Sequence, residues 1–153
     1  MTKIITPTGT LPFKLIPAAH NPLKLPLPFS ICRLPAGFPS PAQDYIEQFL
    51  DLTEHLVRNK TATFYFRVAG WSMRDAGIEE DDILVVDRSI GPRHGHIVVA
   101  TVDGDFTVKK LYRRAGVVEL RPANPDFKPI EFSDGQELVI WGVVTSIVRK
   151  LQA

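Results

Sequence analysis

The hydrophobic positions of this chain change rhythm near residue 60. Beyond it, TFYFRVA, DILVVD, HIVVATV, DFTVKKLYRR, VVELRPA and ELVIWGVVTSIVRK are β-branched or aromatic runs split by turn residues, the signature of strands. Asp103-Gly104 joins two of these runs as a tight hairpin. Before residue 60 one stretch has helical spacing. In SPAQDYIEQFLDLTEHL, Tyr45, Ile46, Phe49, Leu52 and Leu56 line one face. Ser40, Pro41 and Gln43 supply an N-cap, a first-turn proline and a capping-box partner. The pattern predicts a compact, mostly antiparallel β domain with one N-terminal helix.

The first 41 residues read differently. They hold nine of the 13 prolines, and proline removes backbone donors and restricts the residue before it. TPTGTLPFKLIPAAHNPLKLPLPFS can be neither a helix nor a central strand, yet it is too apolar for a solvated linker. We expect an extended arm that docks on a surface, with no room for a helix-turn-helix DNA reader. Charge supports the division. Residues 1–43 carry Lys3, Lys14, Lys24 and Arg33 and no carboxylate, leaving 14 cations against 17 carboxylates, a net of −3, in the rest.

At 153 residues and 44% hydrophobic composition, the chain suits one compact domain. The net charge of +1 gives no global reason to bind nucleic acid. Cys32 is the one cysteine, which excludes an intramolecular disulfide and fits a reducing compartment. No apolar run reaches membrane-spanning length, and Pro7, Pro12, Lys14 and Pro17 interrupt what a secretory signal would need. The expectation is a soluble, cytoplasmic protein.

Candidate chemistry centres on GWSM, residues 70–73. Ser72 is a structural turn serine or a nucleophile. A nucleophile needs a base, and the α/β-hydrolase elbow is excluded because Arg74 stands where that motif requires glycine. The histidines are His20, His55, His94 and His96. A Ser-His-Asp triad is recognised by geometry, and nothing in the chain order argues for one. A lysine can serve if it is neutral, which requires burial among apolar groups. DFTVKKLY offers Lys109 and Lys110 on opposite faces of a strand, so at most one can approach Ser72. Periodicity leaves both open. His94 and His96 flank a glycine, but two ligands are too few for zinc. Glu79, Glu80, Asp81 and Asp82 lack the alternation of a calcium loop and read as a solvated turn. No metal or cofactor is expected, and Cys32 reads as incidental.

Three motifs in order resemble the LexA/UmuD family of self-cleaving Ser/Lys peptidases over about residues 36–148. AGFPSPA resembles its cleavage segment, G-x-S-M its nucleophile turn and DGDFTVKKL its lysine strand. The likeness is strongest to UmuD-like members. It implies a β-clip-like domain of the LexA/signal-peptidase type over residues 37–153, preceded by a cleavable arm over 1–36. It also implies Ser72 as nucleophile, Lys109 as base, backbone N–H groups of Trp71 and Ser72 as oxyanion hole, and Ala36–Gly37 as the scissile bond. The implied partners are a second copy in a homodimer, a RecA filament on single-stranded DNA, and a UmuC-type translesion polymerase. No sequence-specific DNA binding and no membrane contact are implied. Trp71 departs from the family, whose UmuD-like members commonly carry Asp there, and His96 stands where Asp is common. Two other readings stay in view. One is a non-catalytic module that docks the arm or a partner strand without cutting; the other is a LexA-type repressor fragment, against which the lack of a DNA-reading helix pair in 1–36 argues. A signal peptidase uses the same dyad but needs a membrane anchor.

Overall fold

The computed structural model describes residues 2–5, 18–19, 21–30, 33–38, 46–133 and 135–152. The chain forms two compact units, one of residues 18–58 and one of residues 1–17 with 59–153.

In chain order the elements are β1 (Lys3–Ile5), β2 (Leu27–Ser30), β3 (Ile46–Leu50), α1 (Leu52–Leu56), β4 (Thr63–Arg67), a 3₁₀ turn (Arg74–Ala76), β5 (Ile83–Asp87), β6 (Ile97–Val102), β7 (Asp105–Arg114), β8 (Val117–Arg121), β9 (Ile130–Glu131) and β10 (Glu137–Val148). The larger unit is one sheet with strand order β4-β5-β10-β6-β7-β8-β9. Every neighbouring pair along that order is antiparallel, and β1 adds a short parallel pairing to the start of β10. All six runs expected to be strands are strands, and the fold is mainly β and antiparallel as expected. Among the described residues no helix is long and apolar enough to cross a membrane.

The sheet buries side chains on two sides, which is why its strands are so rich in Val and Ile. Val98, Ala100, Leu111, Leu120, Leu138 and Ile140 form one apolar cluster. Val68, Met73, Ile78, Leu84, Val86, Val99 and Trp141 form the other. Val98 and Val99 fall in different clusters, as do Ile140 and Trp141, because successive strand residues face opposite ways. Trp141 anchors the second cluster, with the rings of Phe64 and Phe66 edge-on to it at 5.0 Å each. Strand β10 bends to serve both β5 and β6, with register shifts at 140/142 and 144/146. Gly142 sits at the first shift, where an added Cβ would come within 2.7 Å of Val86 Cγ1.

The expected hairpin forms at Asp103-Gly104. Both residues have positive φ, 51° and 92°, so β6 and β7 pair from Val102↔Asp105 to Ile97↔Lys110 without slippage. This turn sets the register that carries Lys109 opposite Val98.

Two expectations require correction. The long helix is reduced to α1, little more than one turn, and residues 46–50 are instead a strand paired with β2. The Asp51 side chain accepts from the N–H groups of Thr53 and Glu54 and so starts the helix at residue 52. A helix this short depends on burying a face, and none of its residues is buried. LPFS offers a partner to IEQFL instead, and a two-stranded ribbon is all edge, so Pro28 is tolerated. The proposed cap at Ser40, Pro41 and Gln43 lies outside the described residues, as do Tyr45, Cys32 and His20.

The second correction concerns the acidic loop. Asp82 is not solvated; it is 1% exposed. Arg149 grips both of its carboxylate oxygens at 2.6 Å, and the Glu79 N–H donates to it at 2.8 Å. Arg149 also donates to the Gly77 carbonyl, so it ties the 77–82 loop to the end of β10. These donors, Arg149 foremost, hold the Asp82 carboxyl below the usual carboxylate range. A carboxyl with a depressed folded-state pKa contributes stability that is full above its unfolded value and is lost as pH falls through the folded one. Asp82→Asn is therefore expected to cost about 2 kcal/mol at pH 7 and to flatten the acid limb of the stability curve. Urea unfolding at pH 7 and across the range below pH 4 checks both.

Candidate active site

Ser72 lies in a turn between β4 and the 3₁₀ turn. Gly70, at φ 87°, makes the reversal that an L side chain resists. Met73, 2% exposed, pins the turn into the second cluster. The segment after β8 then fastens it. Ala123 N–H donates to the Ser72 carbonyl at 2.8 Å, and Asp75 N–H donates to the Ala123 carbonyl at 2.7 Å. The Asn124 side-chain amide donates to the Trp71 carbonyl at 2.9 Å, while its own carbonyl oxygen accepts from Asp126 N–H. Asn124 is 5% exposed, so this is a buried clamp.

Lys109 comes from the middle of β7 and is 8% exposed, whereas Lys110 is exposed. The alternative left open by periodicity is resolved by geometry: Lys109 is the lysine beside Ser72. Its Nζ lies 2.8 Å from Ser72 Oγ, 2.9 Å from Thr107 Oγ1 and 3.0 Å from the Val108 carbonyl oxygen. Burial alone pushes the Lys109 amine below the ordinary lysine range.

The proton inventory follows from these contacts. A charged ammonium spends its three N–H donors on the three oxygens. A neutral amine has two donors and one lone pair. The Val108 carbonyl can only accept, and Thr107 Oγ1 accepts equally well, so both donors have places to go. The lone pair can then accept the Ser72 hydroxyl proton, whereas the ammonium would donate to all three oxygens; the three contacts accommodate either form.

The space beside the pair is a cleft of about 360 Å³. Its walls come from the end of β4 and the Ser72 turn (Phe66 to Ser72), from Leu84 and Val99, from β7 (Phe106 to Lys109) and from Phe127. The Trp71 and Ser72 N–H groups make no hydrogen bond among the described residues. Trp71 is 48% exposed at the rim. Ala36 and Gly37 are exposed and lie in the other compact unit.

The remaining sequence candidates do other work. His94 Nδ1 accepts from the Arg113 N–H and His96 Nδ1 from the Arg93 N–H, so both imidazoles hold backbone in place. His55 sits in the last turn of α1. Sequence reasoning missed Thr107 and Asn124. Thr107 had a signal, since it lies two residues before Lys109 and shares its side of the strand. Asn124 had none: Asn-Pro reads as a turn, and nothing links it to a carbonyl 53 residues away.

The Peptidase S24-like family model matches residues 28–145. Protein MucA of Salmonella typhimurium is 49% identical over 121 residues, covering 78% of this chain and 82% of that protein. Protein SamA of Salmonella typhimurium strain LT2 is 40% identical over 141 residues, 91% and 96% of the two chains. A LexA repressor of Bordetella petrii is 40% identical over 127 residues, which is 83% of this chain and 55% of the repressor.

The Lys109 environment makes a prediction of definite sign. An amine whose folded pKa lies below its unfolded value leaves the unfolded chain with more bound protons between the two, so stability rises with pH across that window. With ¹³C at Cε, Lys109 is expected to titrate below 10.5, and Lys109→Met is expected to lose that part of the alkaline rise. NMR titration paired with denaturant melts at pH 7 to 10.5 checks both.

Proposed function

The chain belongs to the Peptidase S24-like family, as a UmuD-like member of the LexA/UmuD group, and from that premise we propose that it cuts itself once, at Ala36–Gly37, with Ser72 as nucleophile and Lys109 as base. The observation that carries the reading is the buried Lys109 amine 2.8 Å from Ser72 Oγ. Neutral Lys109 takes the Ser72 hydroxyl proton as Oγ attacks the Ala36 carbonyl carbon. The negative oxygen is met by the Trp71 and Ser72 N–H groups. The C–N bond breaks, the Lys109 ammonium gives its proton to the Gly37 amine, and residues 37–153 begin at a new N-terminus. Water then attacks the Ala36 ester on Ser72, with Lys109 accepting its proton; the acyl C–Oγ bond breaks as the Lys109 ammonium returns that proton to Ser72 Oγ, and the 36-residue arm leaves Ser72 as a carboxylic acid.

Lysine suits this task because a hydrophobic site lowers its pKa without a third group. The substrate side is equally simple. Ala36 and Gly37 offer little steric bulk at the attacked carbonyl, and Pro35 keeps the chain extended. Tethering makes the reaction intramolecular, and placement alone contributes roughly 7–11 kcal/mol to such reactions. Further along, the UmuD-like membership supports a role in the SOS response. In that role a RecA filament on single-stranded DNA stimulates cutting in the cytoplasm. The trimmed chain then serves, as a homodimer, as accessory subunit of a UmuC-type translesion DNA polymerase. The domain division that goes with this is a cleavable arm of residues 1–36 and a peptidase-like domain of 37–153.

Wild type, Ser72→Ala and Lys109→Ala, incubated at pH 7 and pH 10 with and without activated RecA filament, are weighed intact. Wild type is expected to lose residues 1–36, faster at pH 10, with the rise levelling off below the ordinary lysine pKa. Lys109→Ala is expected to be slower by about 10²–10⁴-fold, and Ser72→Ala to stay whole. Cutting that persists in Ser72→Ala ends this mechanism.

A further inference from the structure

The proposed cut falls between two strands that pair with each other. Ala36 and Gly37 lie in an exposed bend between β2 and β3, and these strands pair from Leu27↔Leu50 to Ser30↔Ile46. Earlier in the chain, β1 pairs with the start of β10: Lys3 with Glu137, Ile4 with Leu138 and Ile5 with Val139. The arm of residues 1–36 therefore holds two strands whose partners lie beyond residue 36. Breaking one peptide bond opens neither pairing.

Of the two strands, β1 has the better anchorage. A two-stranded ribbon alone is marginal in water, and Leu27, Phe29 and Phe49 of the β2–β3 ribbon are 54%, 43% and 72% exposed. Strand β1 instead extends a large sheet, within the compact unit that holds both residues 1–17 and 59–153. Strand β10 has β6 on one side, opposite Val139 to Val143. On its other side β5 pairs from Val143 to Val148, and β1 takes the stretch from Glu137 to Val139. Without β1 that stretch is an open edge, a row of backbone donors and acceptors ready for an added strand. Ile4 packs against the first apolar cluster, which includes Leu138 and Ile140. The Lys3 N–H donates to the Gln136 carbonyl at 3.3 Å, and the Thr2 hydroxyl lies 3.4 Å from the carbonyls of Phe132 and Ser133.

We propose that the Glu137–Val139 edge of β10 is a binding site for an extended peptide and that Thr2–Ile5 is its occupant, so that the arm stays on the body after the Ala36–Gly37 bond is cut and leaves in a separate step. The consequence for the cut rests on the Ser72–Lys109 reading; the site itself does not. Its ligand is defined by the chemistry of the edge: an extended backbone with a branched apolar side chain at the place of Ile4. Before the cut, β1 is tethered and fills the site at high effective concentration. After the cut, the same contacts must hold a separate fragment, so the arm becomes exchangeable. Cutting thus converts a built-in strand into a ligand that a competing strand can replace.

Two measurements test this. In the first, a full-length chain with Ser72→Ala carries a recognition site for an added protease, inserted between Ala36 and Gly37, and is nicked by that protease instead of by itself. Gel filtration across a dilution series reads how much of the arm travels with the body. The arm is expected to co-elute, and Ile4→Asp is expected to weaken its hold about tenfold or more, the loss expected when one half-buried branched side chain gives way to a charge. Immediate loss of the arm, or equal retention with and without Ile4→Asp, overturns the proposal. A free peptide of residues 1–8 is expected to displace the arm, and the Ile4→Asp peptide to leave it in place; equal displacement by both overturns the site. The second measurement uses the uncut Ser72→Ala chain. Amide hydrogen exchange is expected to show protection in β1 that Ile4→Asp removes, and free exchange of β1 in the chain that keeps Ile4 overturns the strand. Retention after external nicking, with no self-cutting by wild type, keeps the site and removes the peptidase reading; self-cutting with immediate loss of the arm does the reverse.

Discussion

A lysine amine held out of water, with no carboxylate beside it among the described residues, is the constraint on which the rest of the site depends. Burial is the cause of the lowered Lys109 pKa, and burial is a property of the whole sheet rather than of one contact. The amine reaches its place because β7 is paired with β6 through Lys109 itself, opposite Val98, and with β8 from Lys110 onward. It is held there by Thr107 Oγ1 and the Val108 carbonyl, both from its own strand. These two acceptors satisfy the N–H groups of a neutral amine without supplying the negative charge that would restore the ammonium. An aspartate at position 107 would hold the amine as firmly but raise its pKa, since a nearby opposite charge favours the charged form.

The nucleophile is positioned by a different device. Lys109 is part of a regular ladder, whereas Ser72 sits on a turn whose backbone hydrogen bonds must be found elsewhere. They are found in residues 123–126. The Ala123 N–H, the Asn124 amide and the Ala123 carbonyl each meet a group of the 71–75 segment. The carbonyls of Trp71 and Ser72 are thereby occupied, while their N–H groups make no hydrogen bond among the described residues. The Arg149–Asp82 pair closes the other end of this region, where the chain returns from the 3₁₀ turn into β5.

How much of this was legible in the sequence follows from the range of each interaction. The six strands and the Asp103-Gly104 turn were readable because their signals are local: β-branched runs and a dipeptide that tolerates positive φ. The pairing of Ser72 with one of two adjacent lysines was readable as a choice, since strand alternation separates Lys109 from Lys110 but cannot say which faces in. The failures have one cause. Helical spacing in IEQFLDLTEHL is also compatible with a strand when a partner such as LPFS is available, and spacing carries no information about partners. Four acidic residues in a row look solvated until Arg149, 67 residues away, takes one of them inside. Asn124 and Thr107 were invisible as site residues because their importance lies in what they hold, not in what they are.

In the proposed self-cleavage the serine and lysine are already in hydrogen-bond contact, so control would lie in whether the segment at 36–37 is seated beside Ser72. Ordering a proline-rich chain costs conformational entropy, and a partner that favoured the seated state by a few kcal/mol would shift its occupancy by orders of magnitude. Such seating would also remove water from the Lys109 amine and so favour its neutral form.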